Sequence, residues 1–180
     1  MRLWLIHPSA LMYSEIFFRL EPLGLERLAA AARDAGHDVR AVDLQVLRSR
    51  DLERTVAEFR PEAVGFSLNY LANIPEAIDL ARGIKQALPG CFVFFGGHSV
   101  SFVAADVLRQ AERAVDAVVR GEGETAVFPR LEAVRAGGLD TVPGIVAPKC
   151  SGPPPTHAAH HRRPASRTRP HAPPPPLLHR

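Results

Sequence analysis

Cysteine is scarce in this sequence. Its 180 residues include two, Cys91 and Cys150, too few for a disulfide scaffold, a four-cysteine zinc site or an iron–sulfur cluster held by this chain alone. No apolar run reaches the roughly 18 residues that indicate a membrane-spanning helix. The opening MRLWLIHPS lacks the long apolar stretch and the cleavage site of a signal peptide. These absences lead us to expect a reducing, cytoplasmic setting.

The C-terminal region has almost no material for a hydrophobic core. Residues 151–180 contain nine of the 17 prolines and five arginines, but no acidic and no aromatic residue. Such a segment cannot bury enough apolar surface to offset its ordering entropy. We therefore predict a domain over 1–148 and a disordered Pro/His/Arg-rich tail over 149–180. The composition changes so abruptly after Lys149 that the tail resembles an out-of-frame extension.

Net charge differs between the predicted domain and the tail. Removing the five tail arginines from the 22 basic residues leaves 17 against 19 acidic ones, so residues 1–150 carry a net charge of −2. A nucleic-acid partner is therefore not expected, because the basic character lies in the tail. The tail itself leaves two alternatives open, a proline-rich ligand that recruits a partner protein and a weak metal site at His160 and His161.

Strand and helix patterns alternate along residues 1–149. Apolar runs predict strands at 3–7, 37–44, 63–68, 91–97 and 115–121. Periodic segments predict helices at 22–36, 50–59, 75–88, 101–113 and 124–136. This alternation predicts a doubly wound, flavodoxin-like three-layer α/β sandwich with a five-stranded parallel sheet of order 2-1-3-4-5. The segment PGIVAP (143–148) predicts a short additional strand.

The connections that follow the predicted strands have the character of a ligand site. Ligands of open parallel sheets bind beyond the carboxyl ends of the strands. The first such loop, 8–21, has 14 residues, well above the usual length of about 2–6. The connections after the third, fourth and fifth strands are rich in glycine and small polar residues, which let a ligand approach the backbone. Their coincidence on one edge predicts a binding site there.

Each of these features also has a purely structural interpretation. A Gly-Gly pair can be a simple turn, and Glu122 and Glu124 can be favourable charges at a helix N-terminus. His7 and His98 can be ordinary strand-end residues that are satisfied by backbone carbonyls. The site prediction therefore depends on the features occurring together, and no single one of them carries it.

Several common ligand classes lack their motifs here. No G-x-G-x-x-G follows the first strand, and no G-x-x-x-x-G-K-[ST] is present. His7-Pro8 and Ser67 occupy the positions where a phosphoacceptor receiver domain has acids, and the first loop is a poor match to a flavodoxin phosphate loop. An enzyme or binding module for a phosphorylated small molecule remains an alternative, with Glu21, Glu122 and His98 as acid–base candidates.

Three motifs have a spacing that resembles the cobalamin (vitamin B12) binding domain, whose pattern is D-x-H-x-x-G, S-x-L and G-G. Ser67-Leu68-Asn69 stands at the second motif, and 26 residues separate it from Gly96-Gly97. Gly24 is in register with the first motif, with 42 residues between it and Ser67. Arg19 and Glu21 replace the aspartate and the histidine of that motif. At this motif the chain therefore lacks the histidine that binds cobalt from its lower face in the classical family.

Five further strings resemble the N-terminal domains of B12-dependent radical SAM enzymes, which commonly lack that histidine. In chain order they are Pro22-Leu23-Gly24-Leu25, Ala35-Gly36-His37-Asp38-Val39 with Asp43, Gly65-Phe66-Ser67, Gly96-Gly97-His98 and Arg120-Gly121-Glu122-Gly123-Glu124. The fuller strings RLEPLGLE, SLNYLANIPE and FGGHS are most similar to the hopanoid C-3 methylase branch. The resemblance covers residues 1–148.

This resemblance implies that cobalamin is the cofactor, with its corrin ring over the strand ends and its nucleotide tail between sheet and helices. Ser67 would hydrogen-bond the base of the tail, the glycine pair would keep the slot clear, and loop 8–21 would face the lower side of the corrin ring. The implied cofactor-binding residues are Gly24, Ser67, Leu68, Asn69, Gly96, Gly97, His98, Gly121, Glu122 and Gly123.

The resemblance also implies what the chain lacks. The chemistry of that family resides in a following barrel with a C-x-x-x-C-x-x-C motif, which is absent here. We expect no catalytic residue and no metal ligand in this chain, and a radical SAM domain or a separate radical SAM chain as its partner. We also expect that Gly97→Val blocks the nucleotide tail while the fourth strand, and with it the fold, stays intact.

Overall fold

The computed structural model describes residues 1–9, 22–47, 54–56, 58–121, 143–148 and 150–151. Its strands are β1 (Arg2–His7), β2 (Asp38–Asp43), β3 (Ala63–Ser67), β4 (Phe92–Gly96), β5 (Ala117–Val119), β6 (Ile145–Ala147) and β7 (Cys150–Ser151). Its helices are α1 (Leu23–Asp34), α2 (Ile74–Ala87), α3 (His98–Phe102) and α4 (Ala104–Ala111), with a 3₁₀ turn over Leu71–Asn73. Residues 54–56 and 58–59 are also helical.

The strands form one sheet in the order β2-β1-β3-β4-β5-β6-β7. The first five are parallel, which confirms the predicted order 2-1-3-4-5 and the α/β class. The predicted extra strand is β6, which pairs antiparallel with β5. The described residues form seven strands, where five parallel strands and one additional strand were predicted. The seventh, β7, pairs with β6 and extends the sheet into the range assigned to the tail.

The predicted helices have mixed outcomes. The helix predicted over 101–113 is wrong as a single element, because the chain forms α3 and α4 with a break at Val103. In α3, the Ser101 hydroxyl donates to the Gly97 carbonyl at 2.8 Å, a local bond of the kind that bends helices. The helix predicted over 124–136 lies outside the described residues. Within the described ranges, no helix has the length and apolar character needed to cross a membrane.

Strand alternation divides the apolar residues between the two faces of the sheet. On one face, Trp4, Val64, Phe66, Val93 and Phe95 pack with the apolar sides of α2 and α4. The other face carries Leu3, Leu5, Phe94 and Val119 and packs with Leu25, Ala29 and Ala32 of α1. Because successive side chains alternate, the last residue of each strand is assigned to a face by its neighbours. By this rule, Ser67 and Gly96 point towards the α1 face.

A polar cluster joins α2 to the amino ends of β4 and β5. Lys85 Nζ lies 2.6 Å from Asp116 Oδ2 and donates to the Cys91 carbonyl at 2.7 Å. The same carboxylate oxygen accepts the backbone N–H of Val93 at 2.7 Å. The Lys85 side chain is 20% exposed and that of Asp116 31%, so the pair is more shielded than a typical surface ion pair. We call these residues the amino-end cluster.

Candidate functional site

The carboxyl ends of four neighbouring strands bring a row of residues together on the α1 face. In the parallel register, His7 pairs with Asp43 and Ser67 pairs with Gly96. Ile6 pairs with Phe66, so His7 lies beside Ser67. We call Asp43, His7, Ser67 and Gly96 the strand-end row. It places one carboxylate, one imidazole, one hydroxyl and one position without a side chain across the sheet.

Gly96 leaves an open position in the strand-end row. A Cβ atom at Gly96 would find only the Val119 carbonyl oxygen, at 3.9 Å, which is ordinary van der Waals contact. Two residues earlier, the Phe94 ring lies so close over Gly65 that a Cβ there would collide with it. The row is therefore bare at Gly96 and has an aromatic ring next to it on the same face. The sheet therefore has space for a side-chain-sized group next to the Gly96 backbone on the α1 face.

The backbone at Gly97 has a structural need for glycine that the motif does not suggest. Its φ is +112°, and a Cβ would lie 2.7 Å from the Leu68 carbonyl oxygen and 2.8 Å from the Leu68 nitrogen. That nitrogen donates to the Gly96 carbonyl at 2.7 Å, so the two connections are in close backbone contact. The expectation that Gly97→Val leaves the fold intact is therefore wrong, because the new side chain would strike the backbone of the protein itself.

Leu68, Asn69 and His98 lie at the same edge but not in the strand-end row. The Leu68 side chain is fully buried in the core on the α2 face, so its backbone alone reaches the edge. The Asn69 carbonyl accepts the Ser99 hydroxyl at 2.6 Å, and its side-chain oxygen accepts the His98 N–H at 3.5 Å. The exposed His98 ring packs edge-on against Phe102, with 5.2 Å between centroids. These contacts join the β3 and β4 connections.

The other predicted site residues are more scattered. Gly24 lies in the first turn of α1, is exposed, and has open space around its Cβ position. Gly121 is exposed with a φ of +86°, directly after Arg120, whose N–H donates to the Gly144 carbonyl at 2.7 Å. Glu122 and Gly123 lie outside the described residues, as do Arg19, Glu21 and Glu124.

Sequence reasoning underrated His7. In the described part of the chain, three buried side-chain nitrogens have no hydrogen-bond partner, namely Trp4 Nε1, His7 Nδ1 and Arg120 Nε. Two of the three belong to strand ends, since His7 ends β1 and Arg120 follows β5. The structural alternative for His7, satisfaction by a backbone carbonyl, does not hold for Nδ1. Its place two residues after Leu5, on the α1 side of β1, was the available signal.

The electrostatics of the row keep His7 neutral. Burial lowers the pKa of the His7 imidazole below its ordinary value of 6.5, and the nearby Asp43 carboxylate opposes the shift only in part. The carboxylate is itself engaged, because Asp43 Oδ1 accepts the Gln45 N–H at 2.9 Å. A neutral imidazole presents one donor and one acceptor, so the row can hydrogen-bond either kind of ligand group.

The lowered pKa has a consequence for stability. The unfolded chain binds the His7 proton at a higher pH than the folded chain does, so this contribution to stability is complete above about pH 6.5 and declines as the pH falls from there towards the lowered pKa. We expect the free energy of unfolding of the 180-residue chain to fall as the pH is lowered below about 6.5, and to fall less in His7→Asn. Urea titrations at several pH values measure this; identical pH slopes in both proteins would contradict it.

The beginning of the long first loop is anchored on the α2 side of the sheet. The buried Asn73 amide donates from Nδ2 to the Ser9 carbonyl at 3.1 Å, and the Ser9 N–H donates to Glu76 Oε2 at 3.2 Å. The next residue that the structure describes is Pro22, which directly precedes α1 on the opposite face of the sheet. The ends of the predicted loop therefore lie on opposite sides of the strand-end row.

Exposed large apolar residues concentrate at this edge. Among the described residues, they lie in the connections after β2 and β3 or in the helices that follow β1 and β4: Leu23, Val46, Leu47, Tyr70, Leu71 and Phe102. Exposures reach 73% for Val46 and 75% for Phe102. Single exposed apolar residues are normal, but their concentration at one edge indicates a contact surface. We call this set the apolar rim.

Comparison with known proteins identifies relatives that match a large part of this chain. A family model described as the B12 binding domain matches residues 11–128. The hopanoid C-3 methylase of Methylococcus capsulatus is 53% identical over 156 residues, which cover 86% of this chain and 30% of that protein. An uncharacterized methyltransferase of Pyrococcus horikoshii is 33% identical over 118 residues, 64% of this chain and 25% of that protein.

Solved structures share the fold at lower identity. OxsB, a cobalamin-dependent S-adenosylmethionine radical enzyme solved with aqua-cobalamin and S-adenosylmethionine bound, superposes with a TM-score of 0.65 at 19% identity, over 80% of this chain and 20% of its own. A cobalamin-binding protein from Desulfitobacterium hafniense gives a TM-score of 0.54 at 16% identity, over 73% of this chain and 58% of its own.

The extent of the family match settles the classification. The model covers well over half of the chain, and it includes β2, β3, β4 and β5 with the connections that follow them. The chain spans between a quarter and a third of the length of the two curated relatives. The chain belongs to the B12-binding domain family.

Proposed function

We propose that this chain binds cobalamin at the carboxyl edge of its sheet, with the nucleotide tail between the sheet and α1. The strand-end row carries the proposal, because it combines an open position at Gly96 with the Ser67 hydroxyl and an unpartnered His7 nitrogen. Cobalamin is large, with a flat corrin ring and a polar nucleotide tail, and such a ligand needs both an unobstructed slot and a few placed polar groups.

Different residues would contact different parts of the cofactor. Ser67 would donate its hydroxyl to the base of the nucleotide tail, while the bare Gly96 would leave room for that base. The corrin ring would lie over the strand ends, next to the exposed residues of the β3 and β4 connections. When bound, cobalamin supplies a cobalt atom that can carry a methyl group, and this chain would contribute binding, orientation and exclusion of water.

The cobalt is proposed to lack a histidine ligand from this chain on its lower face. Glu21 occupies the histidine position of the family motif. With two cysteines in the sequence, an iron–sulfur cluster held by this chain alone is also not part of the proposal.

We further propose that a radical SAM domain or chain covers the carboxyl edge and carries out methyl transfer. The relatives named as a methylase and a methyltransferase are three to four times longer than their matched regions. The apolar rim supports a protein contact at the same edge, since exposed apolar clusters mark interaction sites. This chain would then be a non-catalytic cofactor module acting in a reducing, cytoplasmic setting.

Cofactor retention tests the proposal. The full chain is mixed with hydroxocobalamin, desalted and examined by visible spectroscopy; we expect corrinoid absorbance at close to one equivalent. After reduction to the cob(II) state, electron paramagnetic resonance should show no nitrogen superhyperfine splitting from a protein imidazole. A folded chain that retains no corrinoid contradicts cobalamin binding, and a histidine splitting contradicts the missing lower ligand.

A further inference from the structure

The strongest feature that the family motifs leave unused is the His7 ring. Its backbone is fully engaged, because His7 ends β1 in register with Asp43 and its carbonyl accepts the Leu44 N–H at 3.0 Å. The ring nitrogen Nδ1 is buried and has no partner within the described part of the chain. A buried polar atom without a partner is costly, so its presence at a proposed ligand edge calls for a ligand group.

Position separates His7 from the other two unpartnered nitrogens. Trp4 Nε1 belongs to a fully buried side chain in the core on the α2 face, three residues before the end of β1. Strand alternation from Val118, which also packs on the α2 face, places Arg120 on that side. His7 alternates with Leu3 and Leu5 of the α1 face and therefore lies on the side of Ser67 and Gly96.

We infer that His7 is a binding residue for the nucleotide tail of cobalamin and forms a hydrogen bond from its ring to a hydroxyl or phosphate oxygen of that tail. The inference rests on the proposed function. In the strand-end row, His7 lies directly beside Ser67, and Ser67 beside Gly96. A tail whose base reaches Ser67 over the bare Gly96 thus has His7 as the next polar group along the row.

The charge of the row fits an uncharged donor. The His7 ring is faced by the Asp43 carboxylate from β2 and by the Ser67 hydroxyl from β3, while Leu25, Ala29 and Ala32 of α1 pack on this face of the sheet. Because burial favours the neutral imidazole, Nδ1 or Nε2 can donate to an oxygen according to its tautomer. Sugar hydroxyls and phosphodiester oxygens of a nucleotide tail accept such a bond.

Comparing two corrinoids separates binding of the nucleotide tail from binding of the corrin ring. Hydroxocobalamin carries the nucleotide tail, whereas dicyanocobinamide keeps the corrin ring and lacks the nucleotide. We expect His7→Leu in the full chain to weaken hydroxocobalamin binding about tenfold, the loss of one hydrogen bond, and to leave cobinamide binding within about twofold of wild type. His7→Asn, which keeps a polar group, should recover part of the cobalamin affinity. His37→Leu is the control, the same change at the opposite end of the sheet.

Other outcomes overturn the inference in distinguishable ways. Equal weakening of both corrinoids would assign His7 to the fold or to the corrin ring, and unchanged cobalamin affinity in a folded His7→Leu protein would remove it from the site. A nitrogen splitting in the cob(II) resonance spectrum that disappears in His7→Leu would place the imidazole on cobalt instead. Failure of the folded wild-type chain to bind either corrinoid would overturn the proposed function and this inference with it.

Discussion

Gly96→Leu is expected to abolish cobalamin retention while the chain stays folded. Gly96 has an ordinary strand conformation, and a Cβ there meets nothing closer than the Val119 carbonyl oxygen at 3.9 Å. The Cβ atom of a leucine therefore fits, and the rest of the side chain must project from the α1 face into the space proposed for the nucleotide tail. We expect hydroxocobalamin affinity to fall roughly 100-fold or more, measured by titration of the visible spectrum.

The substitution series at Gly96 contains its own controls. Gly96→Ala adds a single methyl group at ordinary contact distance and should lower the affinity far less than leucine does. Gly83 lies in α2 with open space at its Cβ position, so Gly83→Leu makes the same chemical change away from the edge and should leave cobalamin binding unchanged. Wild-type affinity in a folded Gly96→Leu protein would place the tail elsewhere.

Gly97→Ala should destabilise the fold itself, in contrast to its neighbour. The φ of +112° is a region that residues with a Cβ rarely adopt. In addition, the Cβ would lie within 2.7–2.9 Å of three backbone atoms of Leu68, which cannot rotate away. Strain and overpacking together lead us to expect a loss of about 3 kcal/mol or more in the free energy of unfolding, measured by urea denaturation without cofactor.

Gly36 separates the two causes of that loss. It also has a positive φ, +81°, but its Cβ position has nothing within 4 Å, so Gly36→Ala carries the strain without the collision. We expect it to cost about 1 kcal/mol. If Gly97→Ala costs no more than Gly36→Ala, the contact with Leu68 is softer than the structure indicates and the glycine is retained for the ligand alone.

Much of the fold could be predicted because burial on both faces leaves a strong signal. FVFF in β4 and AVGF in β3 are almost continuously apolar, as central parallel strands must be, and helical patterns between them require right-handed crossovers. Strand β7 escaped prediction because two residues carry no periodicity. The break between α3 and α4 escaped it because an apolar pattern can continue through a bend at Val103.

The positions of the site residues could be predicted where they depend on local sequence. They could not be predicted where they depend on contacts between distant parts of the chain. Ser67 and Gly96 follow buried strands, so their place at the carboxyl edge could be derived from the pattern. The need for Gly97 comes from Leu68, 29 residues earlier in the chain, and no local motif reveals that approach. Likewise, His7 is an ordinary strand-end histidine until the register places it next to Ser67 and its Nδ1 is found without a partner.

The amino-end cluster holds three elements together at one end of the molecule. Lys85 and Asp116 tie α2, β4 and β5 together at the edge farthest from the strand-end row, through contacts of 2.6–2.7 Å. Ties of this kind resist local opening, so α2, β4 and β5 are expected to stay together at the end of the sheet opposite the proposed site.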